Sequence, residues 1–188
     1  MTTNSNVSQI ILIAVGAVDP GLLEYLMFML PGRFDTECVC LDANITFQET
    51  YSGSRKQFHA TQLLAKLHEL APADGRKLLG ITDLDLFIPI FTFVFGAAQV
   101  GGCAALMSTH RLHQEFYGLP GDGQLLLARA EKEAIHELGH THGLAHCRGM
   151  DCVMRFSNSV EQVDLRTCNF CQLCETRWRD RSASTLAA

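Results

Sequence analysis

Residues 136–147 read His-Glu-Leu-Gly-His-Thr-His-Gly-Leu-Ala-His-Cys. His136 and His140 are four positions apart, so on a helix they share one face, one turn apart, and both imidazoles can reach a single metal ion. A zinc ion takes such nitrogens at about 2.0–2.1 Å and, in a catalytic site, uses three protein ligands and leaves one position for water. The third ligand cannot stay on the same helix: continuing it would carry His146 on the order of 9 Å beyond His140 along the axis. The chain must leave the helix and fold back. Gly143 stands where that reversal requires a residue tolerant of positive φ. Glu137 adjoins the first histidine, where a carboxylate can take a proton from the bound water and pass it to a leaving amine. The metal would lower that water's pKa to about 7 and stabilise charge on a scissile carbonyl. A base beside the metal points to hydrolysis of amide bonds. His142 falls on another helix face, which suits a core or surface role. His59, His68, His110 and His113 lack matching spacing.

Downstream, the chain is rich in cysteine. Eight cysteines stand at positions 38, 40, 103, 147, 152, 168, 171 and 174. Cys147 and Cys152, then Cys171 and Cys174 as C-x-x-C, supply four thiolates, which would close a tetrahedral zinc site with no position left for water. Such a site is structural, a staple for a lobe poor in apolar residues. Cys168 makes the run C-x-x-C-x-x-C and leaves the identity of the second pair open; disulfides or free thiols are the plainer alternative. Met154, just past Cys152, stands where an apolar floor under the catalytic metal could form. Cys38, Cys40 and Cys103 lie in apolar stretches and read as small core residues.

Upstream, strand-like and helix-like stretches alternate. Ile10–Val18 reads as a buried strand, followed by a helix begun at Asp19-Pro20-Gly21 and stopped by Pro31-Gly32. Thr36–Leu41 is a second strand, Ser54–Leu70 a helix, and Lys77–Phe87 a third strand. Phe91–Phe95 and Cys103–Met107 read as two more strands about a Gly-rich connection, with an unblocked edge strand from Phe91–Met107 over the cleft. A long helix spans 124–143, and the terminal SASTLAA reads as a frayed tail. The class is α/β or α+β, a mixed sheet beside helices. With 188 residues, 47% apolar and 19% charged, the chain has material for one core, read as one domain with an N-terminal part to 146 and a Cys-rich part over 147–180. A net charge of −5 and the lack of a basic block disfavour nucleic acid as a partner. The first basic residue is Arg33, which argues against a signal peptide. Leu86–Met107 is uncharged but holds Pro89, Gln99 and Gly101-Gly102, so it reads as strands and a turn, not a membrane helix.

H-E-x-x-H-x-x-G-x-x-H followed by a methionine is similar to the metzincin signature. Cys147 directly after His146, then Cys152, Met154 and a later C-x-x-C, resembles one branch, the archaemetzincin zinc metallopeptidases. GITDLDLF, FVFGAA and STHRL extend the likeness over most of the chain. The resemblance implies a twisted mixed sheet with an active-site helix and a small irregular C-terminal subdomain stapled by zinc. It also implies two zinc ions: one on His136, His140 and His146 with Glu137 as base, the other on Cys147, Cys152, Cys171 and Cys174. Met154 would be the methionine of the Met-turn. The Met154–Cys171 spacing is one residue shorter than the family pattern, and Cys168 is extra. The substrate would be a peptide or protein and the location cytoplasmic. A reading from another class is a metal-dependent peptide-binding protein with little or no turnover, which would have no need of Glu137; a zinc-ribbon interaction module built on the cysteines is a third.

Overall fold

The computed structural model describes residues 9–186; residues 1–8 of the N-terminal segment and 187–188 of the tail lie outside the described residues. The chain order is β1 (Gln9–Val15), α1 (Pro20–Phe34), β2 (Glu37–Leu41), β3 (Tyr51–Ser52), β4 (Gln57–His59), α2 (Ala60–Leu70), β5 (Lys77–Thr82), β6 (Leu86–Phe87), β7 (Gly96–Ala98), β8 (Ala104–Ser108), α3 (Gly123–Thr141), α4 (Val160–Leu165) and α5 (Gln172–Leu186). The main sheet has the order β2-β1-β5-β8-β7, parallel except for β7, which runs antiparallel to β8. A three-stranded sheet, β3-β4-β6, lies apart from it.

Strand alternation divides the core in two. Ile10 and Leu12 of β1 join Leu22, Leu26 and Leu30 of α1 and Ala134 and Leu138 of α3 on one face. Ile11, Ile13 and Val15 join Leu63, Leu64 and Leu67 of α2 on the other. The near-continuous apolar run of β1 is what a central strand covered on both faces requires. The result is a helix–sheet–helix sandwich that carries α3 across the sheet beside β8 and β7.

Five expectations change. The helix expected over Ser54–Leu70 begins at Ala60, after the strand β4. The helix α1 runs through Pro31 to Phe34. Pro31 forfeits one helical hydrogen bond, but the inward row Leu22, Leu26, Leu30 continues at Phe34, which is buried against Phe170 and Trp178. Lys77–Phe87 is two strands in two sheets. After β5 the Thr82 hydroxyl donates to the Val15 carbonyl and accepts from the Leu84 amide, which turns the chain toward β4. Phe91–Phe95 is a loop, with only Val94 bridged to Leu86. The carbonyls of Phe91 and Thr92 are taken by the Arg55 guanidinium, and that of Thr92 also by the Gln57 amide, so side chains satisfy backbone that a strand would have paired. Finally, α5 continues through Leu186, so most of the expected frayed tail is helical. No helix among the described residues is long and apolar enough to cross a membrane, and 86–107 folds as β6, loop, β7 and β8.

Candidate metal centres

The site is built on the C-terminal half of α3. Its N-terminus is capped by Asp122, whose carboxylate accepts from the Leu125 amide at 3.0 Å. From Ala130 to Thr141 nearly every side chain is buried, polar ones included: Glu133, His136, Glu137 and His140 are each under 9% exposed. The helix ends at Thr141, and Gly143 takes φ +82°, the reversal the sequence required. His146 then returns over the helix, its ring 5.3 Å from that of His136 and 4.8 Å from that of His140. The ligand atoms of the three histidines lie within 4.8 Å of one another.

Two tautomers follow from the hydrogen bonds. His136 Nδ1 lies 2.8 Å from the Val153 carbonyl and His140 Nδ1 2.7 Å from the Leu144 carbonyl. Carbonyls only accept, so both Nδ1 atoms carry the proton and both Nε2 atoms present lone pairs. Those Nε2 atoms face each other at 3.2 Å. Two lone pairs at that separation repel unless a cation lies between them, and tetrahedral zinc–nitrogen bonds of 2.0–2.1 Å place adjacent nitrogens about 3.3 Å apart. The donor set therefore fits zinc. Burial holds His136 neutral, with its pKa well below the usual imidazole value, and the nearby Arg166 and His140 act in the same direction. Burial lowers His140 and His146 too.

Glu137 faces the same cleft, against β7: a Cβ on Gly96 would stand 2.5 Å from Glu137 Oε1. Burial, and then the Glu133 carboxylate, push its pKa well above the usual carboxylate range, against an opposing effect of Arg166. The cleft encloses about 460 Å³ and is walled by aromatic and aliphatic side chains such as Phe91, Phe95 and Phe156 above the histidines and Glu137. β7 ends the main sheet and lines the cleft, so the expected edge strand is Gly96–Ala98 only.

Met154 is fully buried beneath α3, where a Cβ on Gly139 would meet its Sδ at 2.5 Å. The Met154 carbonyl accepts from the Cys147 amide at 2.8 Å, which pins the methionine segment to the chain leaving His146.

Cys147, Cys152, Cys171 and Cys174 converge, their Sγ atoms within 4.8 Å of one another. Cys147 and Cys171 are 3.7 Å apart, far beyond a disulfide and close to the roughly 3.8 Å that tetrahedral zinc–sulfur bonds of about 2.3 Å impose. The Gly149 amide donates to Cys147 Sγ and the Cys171 amide to Cys152 Sγ; burial raises the Cys152 thiol's pKa against that hydrogen bond. Backbone hydrogen bonding brings the Cys171 thiol down to about 7. Cys168 stays outside the group, with its sulfur 3.6 Å from Arg33 Nη2. All eight cysteines are free. Cys38 and Cys40 are half-buried at the edge of the core, and burial pushes the Cys38 thiol up to about 12. Cys103 is also half-buried, 3.4 Å from His68 Nδ1.

His142 stacks on Phe34 with ring centroids 5.3 Å apart, a core role, and burial lowers its pKa to about 4. His59, His68, His110 and His113 belong to neither metal group. Three residues escape a reading by spacing. Gly96 and Gly139 give Glu137 and Met154 their room. Arg166, 2% exposed, pairs with Glu133 and donates to the Val153 and Arg155 carbonyls; its Nη1 lies 3.0 Å from His136 Nδ1, where with Nδ1 protonated the two donors share the Val153 carbonyl and are not bonded to each other.

An α/β sandwich with a long helix carrying two histidines and a glutamate, a returning third histidine and a buried methionine below them defines a metallopeptidase of the metzincin type. Residues 34–180 match the model of Peptidase family M54, and the chain belongs to that family, the archaemetzincins; it is a zinc metallopeptidase. An archaemetzincin from Methanocaldococcus jannaschii is 45% identical over 131 residues, 70% of this chain and 71% of that one. The crystal structure of archaemetzincin from Methanopyrus kandleri is similar with a TM-score of 0.83 at 31% identity, covering 97% of this chain and 99% of the other. That of a zinc-dependent peptidase from Methanocorpusculum labreanum gives 0.82 at 30% identity, covering 90% and 99%.

Proposed function

We propose that His136, His140 and His146 hold the catalytic zinc, that Glu137 is the general base of peptide hydrolysis, and that Cys147, Cys152, Cys171 and Cys174 hold a second, structural zinc. The observation that carries this reading is the meeting of two Nε2 lone pairs at 3.2 Å, each fixed by a carbonyl behind its ring, with Glu137 in the same cleft. A zinc ion there supplies a Lewis acid for the scissile carbonyl and lowers the pKa of water to about 7. Glu137 accepts the proton of the attacking water and delivers it to the leaving amine. Its one-residue offset from His136 sets it against β7 at Gly96, in the cleft that the three histidines also line. An extended peptide adds to β7 through main-chain hydrogen bonds, which brings its backbone over Glu137 while side chains enter the aromatic walls of the cleft. The cysteine lobe joins α5 to the Met154 segment, and with four thiolates a zinc ion there has no open position for chemistry. A cluster of four cysteines placed to hold zinc suits a reducing compartment such as the cytoplasm.

The test pairs two variants. Glu137→Ala keeps the fold and the zinc at the histidines but loses at least about 10²–10⁴-fold in peptide hydrolysis. His140→Ala loses zinc along with activity. Full turnover by Glu137→Ala would remove it as the base. A parent that binds peptides without cleaving them would favour the peptide-binding alternative.

A further inference from the structure

Arg166 is the residue in which the separate parts of the site meet. It is the C-cap of α4, with its side chain 1% exposed. Nη1 donates to the Val153 carbonyl at 2.9 Å and to the Arg155 carbonyl at 3.0 Å, so it spans the backbone on both sides of Met154. Nη2 pairs with Glu133, one helical turn before Glu137 on α3. The Val153 carbonyl is the one that accepts from His136 Nδ1. One oxygen thus receives a histidine N–H and a guanidinium N–H, and its position sets the direction of the His136 ring.

A buried ion pair is weak evidence for stability, because the cost of removing two charges from water offsets their attraction. Its better-attested use is to hold one geometry against others. A planar fork suits this better than an ammonium, because two nitrogens held in one plane keep Nη1 on the two carbonyls while Nη2 pairs with Glu133. We infer that Arg166 is a positioning residue for the histidine centre: clamped by Glu133, it fixes the Val153 and Arg155 carbonyls and through them the orientation in which His136 offers Nε2. The inference rests on the proposed zinc ligation by the histidines and adds to it a residue from the far end of α4.

The fold supplies a control. Arg129 forms a second ion pair between the same two helices, its own side chain buried and that of Asp164 partly exposed, bidentate at 2.8 and 2.7 Å, and donates to the Leu112 carbonyl. It touches neither a histidine nor the Met154 segment in any of these contacts. Loss of either arginine should destabilise the chain, but only loss of Arg166 should disturb the metal.

The experiment measures, on zinc-loaded full-length protein, the rate of zinc loss to a colorimetric chelator and the visible spectrum of the cobalt-substituted form. His140→Ala identifies the phase and bands of the histidine site. Arg166→Met should release that ion about 10-fold faster or more and shift the cobalt bands, the usual scale for removing a group behind a ligand. Arg166→Lys should fall between Arg166→Met and the parent. Arg129→Met should lower the thermal midpoint and leave both metal readouts unchanged. Should Arg166→Met be insoluble, Glu133→Gln, which loosens the clamp without removing the guanidinium, should move release and spectrum in the same direction. The inference is overturned if Arg166→Met, or Glu133→Gln in its place, matches the parent in both readouts, or if Arg129→Met alters them equally. A His140→Ala trace identical to the parent's would instead remove the histidine assignment itself.

Discussion

Gly139→Ala is the substitution for which helix propensity and packing predict opposite signs. In a helix interior, alanine in place of glycine contributes about 0.5–1 kcal/mol of stability, an upper value for Gly139, which stands in the last turn of α3. At this position the new methyl would stand 2.5 Å from Met154 Sδ, 3.2 Å from Met154 Cε and 3.3 Å from the Phe170 ring. Met154 is fully buried and Phe170 is 8% exposed, so neither can move out into solvent. Methionine bends more readily than other core residues, which limits the damage, and overpacking of this kind costs about 1–3 kcal/mol. The net expectation is a loss of roughly 1–2 kcal/mol, or roughly 2–8 °C in thermal midpoint for a chain of this size. Urea unfolding of the zinc-loaded protein measures it. The double-mutant cycle isolates the cause, because with Met154→Ala in the background the clash is gone and Gly139→Ala should become neutral or stabilising. Hydrolysis should also fall in the single variant, since displacing Met154 moves the adjoining Val153 carbonyl that orients His136. Gly139→Ala more stable than the parent, or additive with Met154→Ala, would refute the packing argument.

Three further outcomes follow from the geometry. Cys147→Ser should lower the zinc content from two equivalents toward one and reduce the thermal midpoint, whereas Cys168→Ser should keep two; elemental analysis of both decides whether the gathered sulfurs are the ligands. Asp122→Ala removes the carboxylate that caps α3 and should cost about 1 kcal/mol in urea unfolding, and an unchanged midpoint would mean that the cap contributes nothing. Cys38, with its thiol pushed up to about 12, holds only about 10⁻⁴ of its population as thiolate at pH 8. Its alkylation by iodoacetamide, read by peptide mass mapping, should be slow in the native protein, rise about tenfold per pH unit below 12, and become fast in denaturant. Labelling at the rate of a free thiol in the native state would place Cys38 in open solvent.

What was legible in the sequence was what a short span of chain decides. His136, His140, Gly143 and His146 are tied by the geometry of one helix and one reversal, so spacing alone brought them to one point. β1 and β8 are legible as apolar runs, since a parallel strand covered on both faces has no polar side to show, whereas β5 is legible only as part of the longer stretch Lys77–Phe87. Errors fell where a distant partner decided the outcome. Pro31 stays helical because Phe34 packs among His142, Phe170 and Trp178, and α5 leaves little periodic signal because its inward row is carried by few residues, Cys174 and Trp178 among them. Phe91–Phe95 has the composition of a strand, but its carbonyls are spent on Arg55 and Gln57 from more than thirty residues away. The cysteine run was ambiguous for the same reason, since Cys168 sits beside Arg33, 135 positions earlier, a fact no local spacing contains. Gly139 did leave a local trace. A glycine inside a strongly helical, otherwise buried segment forgoes about 1 kcal/mol against alanine, and such a loss marks a close contact with something outside the helix. Here that contact is Met154, so a helix-breaking residue between His136 and His140 and the methionine fifteen positions on are two halves of one packing arrangement.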